Sequence, residues 1–183
     1  MAFLTFSAPS SSVTIRTWSY AGGMDVAGDL IPEGGFDPIL SVFNITGGLN
    51  ASSPLVNTND NGAFAPGVSV DSVTGLQLDS LLVLTGLVSA DTYLVVLTES
   101  DNSPLSGVYG GGFSEAGNGN FTEGLFGCSS AFCDLTGTQR DGAWEVDIDG
   151  VGSFQTPTPE PASILLIGAG LAAFGLVRKK VRS

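Results

Sequence analysis

The chain contains no histidine and, before its last few residues, no lysine. The missing histidines remove the commonest general base, the usual zinc ligand and every Ser–His or Cys–His pairing. Enzymes that work with paired carboxylates, glycosidases among them, are the catalysts still open to it. Charged residues make up only 13% of the chain, about half of the roughly 25% usual in a globular domain. Serine, threonine, asparagine and glycine supply the polarity instead. The 26 glycines and 9 prolines are scattered without period, which excludes a collagen-like repeat. Two cysteines, Cys128 and Cys133, are too few to build a structural zinc site.

The few cations are unevenly placed. Arg178, Lys179, Lys180 and Arg182 crowd the C-terminus, leaving Arg16 and Arg140 as the only cations in residues 1–161. Those two stand against all 18 acidic residues, a net charge of −16 for that stretch. Nucleic acid phosphates would be repelled, so nucleic acid partners are excluded. Divalent cations or cationic polymers would be attracted. The acidity also serves a plainer purpose, keeping an exported domain soluble.

What is there, above all, is short strand-like segments between turn signals. Val13-Thr14-Ile15-Arg16-Thr17-Trp18-Ser19-Tyr20 alternates apolar and polar residues, as does Trp144-Glu145-Val146-Asp147-Ile148. Ile39–Phe43, Leu81–Leu84 and Tyr93–Thr98 are more continuously apolar, as buried strands are, and Phe3–Phe6 reads as a strand already under way. Gly22-Gly23, Gly34-Gly35, Gly47-Gly48, Asn59-Asp60-Asn61-Gly62 and Gly110-Gly111-Gly112 separate them. No segment of the body has a convincing helical period, and the glycine-rich residues 107–127 read as one long surface loop. The fold class is therefore all-β, an antiparallel β-sandwich or jelly roll over residues 1–153.

The rest of the chain has a different character. Residues 154–163 form a proline-rich linker, because proline continues neither a helix nor a central strand. Ile164–Val177 is uncharged for 14 residues. As a helix it would span about 21 Å, short of a hydrocarbon core of roughly 30 Å. Flanking basic side chains can snorkel, which makes residues 164–177 one short transmembrane helix. Residues 178–183 then form a basic cytoplasmic tail by the positive-inside rule, with the acidic domain on the other side of the membrane.

Pro159-Glu160-Pro161, the apolar segment and the basic end, in that order at the C-terminus, resemble the PEP-CTERM sorting signal of exopolysaccharide-producing bacteria. The resemblance implies an exosortase-type membrane protease as partner and cleavage near the Pro-Glu-Pro. It also implies release of an inner-membrane-anchored, periplasm-facing precursor to the cell surface or matrix. Such a precursor needs a signal peptide. Met1–Ser7 has no basic stretch and no apolar run of the required length, so the expectation is a start codon assigned too far downstream.

A second resemblance runs through the body. Gly34–Phe43, then Asn59-Asp60-Asn61, then Asp79-Ser80-Leu81 and Asp91–Thr98 look like the pre-peptidase C-terminal domain, a β-sandwich accessory module of secreted proteins. They also resemble a group of PEP-CTERM-linked domains of unknown function. That resemblance implies a binding or structural module rather than a catalyst.

Several residues are candidates for chemistry. Asp37, Asn59, Asp60 and Asp101 lie at strand ends or turns and offer the hard oxygen ligands that calcium prefers. Asp and Asn are equally ordinary turn residues. Cys128 and Cys133 would close a small disulfide loop in an oxidising compartment, or remain thiols in a loop. Glu99, Asp101, Glu115, Glu123, Glu145 and Asp147 supply carboxylates, but nothing singles out a hydrolytic pair. Trp18, Tyr20, Tyr93 and Trp144 could form a sugar-binding platform, but their alternation fits core or half-buried strand positions better. Asn44, Asn50 and Asn120 begin N-glycosylation triplets, a weak signal in a chain this rich in serine and threonine. The expected function is that of a non-enzymatic, structural or adhesive surface protein. An exopolysaccharide-binding module is the alternative and a carboxylate-dependent glycoside hydrolase a distant third.

Overall fold

The structure is a computed structural model that describes residues 1–8, 12–62, 65–129, 131–151 and the backbone of 154–155. Its strands in chain order are β1 (Ala2–Ser7), β2 (Ser12–Trp18), β3 (Gly23–Met24), β4 (Leu30–Ile31), β5 (Pro38–Asn44) and β6 (Leu55–Asn59). They continue with β7 (Leu81–Thr85), β8 (Thr92–Glu99), β9 (Phe132–Cys133), β10 (Gln139–Arg140), β11 (Glu145–Asp149) and β12 (Phe154–Gln155). A helix, α1 (Phe121–Phe126), precedes β9.

Two antiparallel sheets carry the fold. One has the order β12-β1-β8-β5-β6 and the other β11-β2-β7. Leu4 and Phe6 of β1, Leu40 and Val42 of β5, and Val95 and Leu97 of β8 pack in one core with Val13 and Ile15 of β2, Leu82 and Leu84 of β7 and Val146 of β11. Side chains alternate across a strand, so this shared core makes the pair of sheets a sandwich. The short β3–β4 and β9–β10 hairpins sit apart from both sheets.

β5 and β8 are buried on both faces, which explains their nearly continuous apolar sequences. Register pairs Phe43 with Leu94 and Ser41 with Val96. Phe43, Leu94 and Val96 point away from the sandwich core into a second cluster with Phe113, against which Tyr109 packs. Phe43 meets both rings edge-on, at 5.5 Å and 6.2 Å between centroids. Residues 107–127 are therefore not one plain surface loop. They contain a single 3-10 turn at Tyr109–Gly111, the cover for the outer face of the sheet, and α1. α1 escapes a search for helical period because it is six residues long and buries only Thr122. Gly127 ends it in the left-handed region at φ 79°.

Two other sequence boundaries move. Phe154–Gln155, expected in the linker, pairs antiparallel with β1. No strand was expected over Leu55–Asn59, of which only Asn59 fell in an expected turn, Asn59-Asp60-Asn61-Gly62. Its Asn57, Thr58 and Asn59 suit the exposed edge that it forms in the five-stranded sheet. The expected linker beyond Gln155, the transmembrane helix 164–177 and the tail 178–183 lie outside the described residues. Among the described residues no helix is long and apolar enough to cross a membrane.

The ends of the sandwich are held by polar groups. Asp79, just before β7, accepts the Ser19 and Tyr20 amides on Oδ1 at 2.7 and 3.2 Å and the Ala21 amide on Oδ2 at 2.8 Å. Arg140 is clamped between Asp71, through two hydrogen bonds at 2.9 and 3.1 Å, and Asp134 at 2.9 Å. Its guanidinium lies 3.8 Å from the centre of the Tyr20 ring, and the Tyr20 hydroxyl donates to Asp134 at 2.8 Å. Burial alone would raise the Asp71 pKa, but the bonds from Arg140 and Thr74 bring it down to about 2. Asp134 is lowered too, by Thr136, Tyr20 and Arg140 against its own burial.

Removing the Arg140 side chain leaves two buried carboxylates without a counter-charge. Arg140→Ala should cost about 3–5 kcal/mol in urea unfolding at neutral pH. In the unmodified protein the unfolded chain takes up protons before Asp71 and Asp134 do. Stability should therefore be fully present above the ordinary aspartate pKa of 3.8 and fall as the pH drops toward about 2. Unfolding midpoints measured across that interval check the sign.

Candidate functional site

Strand register brings a particular set of residues to one end of the five-stranded sheet. Ala2 pairs with Leu97 and Pro38 pairs with Glu99. The start of β1, the start of β5 and the end of β8 therefore meet there. Leu40 pairs with Asn59, so β6 leaves its partner at the same end. Gly35 fixes the approach to β5, lying so close to Ser19 and the Ala143 carbonyl that a Cβ has no room. Phe36 and Asp37 follow from that constraint.

A cleft of about 570 Å³ opens beside this sheet end, with Phe36, Leu97, Glu99, Glu115, Phe132 and Trp144 among its lining residues. Phe36 and Phe132 stack at 5.3 Å. Trp144, at 39% exposure, is the one member of the expected aromatic platform that faces the cleft. Trp18, Tyr20 and Tyr93 are buried. Trp18 donates its indole N–H to Asp147 at 2.6 Å, and the Arg16 guanidinium lies 5.0 Å from its ring centre.

Glu99 and Glu115 are the two carboxylates of the cleft. Burial pushes the Glu99 pKa up to about 7, against hydrogen bonds from the Thr122 hydroxyl and the Cys133 amide. Thr122 sits 2.9 Å from Glu99 Oε1 and also accepts the Cys133 amide at 3.2 Å. One buried threonine thus ties α1 and β9 to the end of β8. Cys128 and Cys133 are joined as a disulfide with a Cα–Cα separation of 6.0 Å, closing the loop between α1 and β9.

The acidic strand-end residues are placed as follows. Asp37 is 4% exposed, and its backbone carbonyl accepts the Ser100 amide at 2.8 Å. Its Oδ1 is buried with no hydrogen-bond partner. Burial and then the charge of Asp60 push its pKa up to about 8, with Ser100 opposing them. Asp60 is raised in turn by burial and by the charge of Asp101. Asp37 and Asp60 are thus near enough to feel each other's charge, as are Asp60 and Asp101. Asn59 is committed elsewhere: its Oδ1 accepts the Leu81 amide at 3.0 Å and its Nδ2 donates to the Asn61 carbonyl at 3.1 Å. Asn61, which the sequence did not single out as a ligand, has a buried Oδ1 without a partner. Among the described residues no three Asp, Glu or Cys side chains form a metal-holding group.

With the geometry in hand, the comparisons concern the end of the chain. Residues 157–179 match the PEP-CTERM protein-sorting motif. The matched stretch contains Pro159, Glu160 and Pro161, the apolar segment, and Arg178 and Lys179, with Lys180 and Arg182 just beyond it. The PEP-CTERM motif supports an exported protein, a membrane-transiting precursor sorted to the cell surface and processed by an exosortase. All of these residues lie outside the described part of the chain, so their role rests on the motif. No curated protein and no solved structure matches the chain. The likeness of the body to the pre-peptidase C-terminal domain therefore rests on the residues that carry it.

The raised pKa of Glu99 has a definite sign. The folded state holds the Glu99 proton more tightly than the unfolded chain does. Its contribution is present below the ordinary value of 4.5 and lost as the pH rises through about 7. Glu99→Gln, which keeps an acceptor for Thr122, should flatten the fall in stability between those pH values. Thermal unfolding of both proteins at pH 5 and pH 8 checks it.

Proposed function

We propose that this chain is a non-enzymatic protein of the cell surface or polysaccharide matrix, structural or adhesive in role, that reaches its site through the C-terminal sorting signal. The observation that carries the reading is the PEP-CTERM motif behind an acidic all-β body. The apolar segment holds the precursor in the inner membrane with its body facing the periplasm, and cleavage near Pro159-Glu160-Pro161 frees it. The reading also fits the histidine-free composition and the way several carboxylates are consumed. Asp71, Asp79, Asp134 and Asp147 all bind donors of the fold itself.

A specific observation favours a second reading. The cleft joins a half-exposed indole to carboxylates and amides, the mixture that grips a sugar ring by its face and its hydroxyls. Exopolysaccharide would be its ligand. A hydrolase would use the same cleft, with Glu99 as acid and Glu115 as second carboxylate. Its carboxyl groups would stand roughly 5–10 Å apart.

Two experiments separate these readings. Alanine at Pro159, Glu160 and Pro161 should leave a full-length, membrane-bound precursor in host-cell fractions. Normal release of the body would remove the sorting account. For the cleft, binding to the host's exopolysaccharide should weaken about tenfold in Trp144→Ala, the loss of one stacking contact. No binding by the unaltered protein returns the account to a structural role. New reducing ends that Glu99→Gln abolishes would replace binding with hydrolysis.

A further inference from the structure

The start of β5 presents an electrostatic imbalance that the protein itself does not resolve. Asp37 Oδ1 is buried without a donor, and so is Asn61 Oδ1. A buried acceptor left unsatisfied is costly, more so for a carboxylate. These two acceptors are oxygens, and the β5–β6 pairing, whose last pair is Leu40 with Asn59, brings the residue before β5 and the residues after β6 to the same sheet end. The third buried side-chain atom without a partner among the described residues is the Arg16 Nε on β2. The two cations of the body have other neighbours, although the buried Arg16 Nε is itself without a hydrogen-bond partner. Arg140 lies between Asp71 and Asp134, and Arg16 lies over Trp18 and beside Gly67. With no lysine or histidine in the body, no further side chain can supply the missing charge.

We propose that Asp37, Asp60 and Asn61 bind one calcium ion where β5 begins and β6 ends, with backbone and water oxygens completing its shell and Asp101 adding negative charge from outside it. The donor set decides the metal. It offers only hard oxygens, with no thiolate or imidazole, which favours calcium over zinc or copper. It also decides the strength. Two carboxylates and one amide make a weak site, of the class with dissociation constants on the order of 10⁻⁴ to 10⁻³ M found in extracellular modules. The geometry revises the ligand set expected from the sequence. Asn59 is used by Leu81 and Asn61, and Asn61 takes its place. β6 ends at Asn59, so the strand's alternation does not carry on to Asn61 and spacing alone could not choose between the two. The inference is independent of what the cleft binds.

The test uses the mature protein from its host, stripped with EDTA. With 10 mM calcium its Tm should rise by about 5 °C, the shift given by saturating a site of this class, and with equal magnesium it should rise far less. Equilibrium dialysis against ⁴⁵Ca²⁺ should retain one ion per chain. Asp37→Asn should abolish both responses, and Asp60→Asn should weaken binding at least tenfold. Asp60 is the less buried of the two carboxylates, so its variant keeps the test decisive if Asp37→Asn does not fold. An unchanged Tm with no retained ⁴⁵Ca²⁺ overturns the proposal. So does a calcium response that survives in Asp60→Asn, since the ion would then sit elsewhere.

Discussion

Arg140 is where a strongly anionic body gathers its loops. Each of its two carboxylate partners also shapes its own turn. Asp71 Oδ1 accepts the Thr74 amide and hydroxyl at 2.8 and 2.7 Å. Asp134 Oδ1 accepts the amides of Thr136 and Thr138 at 2.9 and 3.0 Å. The guanidinium joins these two turns to each other and to the Tyr20 ring at the exit of β2. A buried pair of this kind contributes little net stability compared with an apolar replacement. What it fixes is position, because a planar fork accepts few arrangements of carboxylates. Burial and hydrogen bonding to Asp134 push the Tyr20 phenol up to about 12, so it stays a neutral donor within the cluster.

The same arginine reaches the cleft through the chain. Arg140 in β10 pairs with Phe132 in β9, and Phe132 both stacks on Phe36 and forms a cleft wall. Cys133, next in the chain, is locked to Cys128 and donates its amide to Thr122, which holds Glu99. The cleft is thus built from segments far apart in sequence, each held by a polar contact to a rigid strand. That is the usual way for loops to carry a site without a large core of their own.

This route explains what could be read from the residues and what could not. β2, β5, β7, β8 and β11 announce themselves because their burial is periodic or complete, and Ile39–Phe43 and Tyr93–Thr98 lie within β5 and β8. β6 hides because an edge strand buries little, and its polar Asn57-Thr58-Asn59 runs straight into the turn signal Asn59-Asp60-Asn61-Gly62. Among the aromatics, alternation placed Trp144 on the face of Val146 and Ile148. In fact β11 begins one residue later and Trp144 is left at the cleft. Asp37 and Asp60 were legible as oxygen donors by type, and strand pairing supplies their proximity. The orphaned oxygens of Asp37 and Asn61 are a property of packing, which no spacing rule contains. The Arg140 cluster left a clear but unused sign: an isolated arginine in a body with 18 acidic residues demands partners.

Compositional poverty and sorting fit together physically. A body that buries Arg140 and half-buries Arg16, its two cations, presents a strongly anionic outer surface, which limits non-specific adhesion to phosphate-rich polymers and to like-charged copies of itself. Attraction remains for cations, and at short range for whatever stacks on the half-exposed Trp144 indole. The sorting motif begins at residue 157, two residues beyond the last residue of β12. The fold therefore extends almost to the processing signal, and its last strand lies along β1 in the large sheet. Cleavage near Pro159-Glu160-Pro161 leaves that pairing intact, because β12 lies on the body's side of the cut. Removal of the end of the chain at that point would leave every described strand of the sandwich in place.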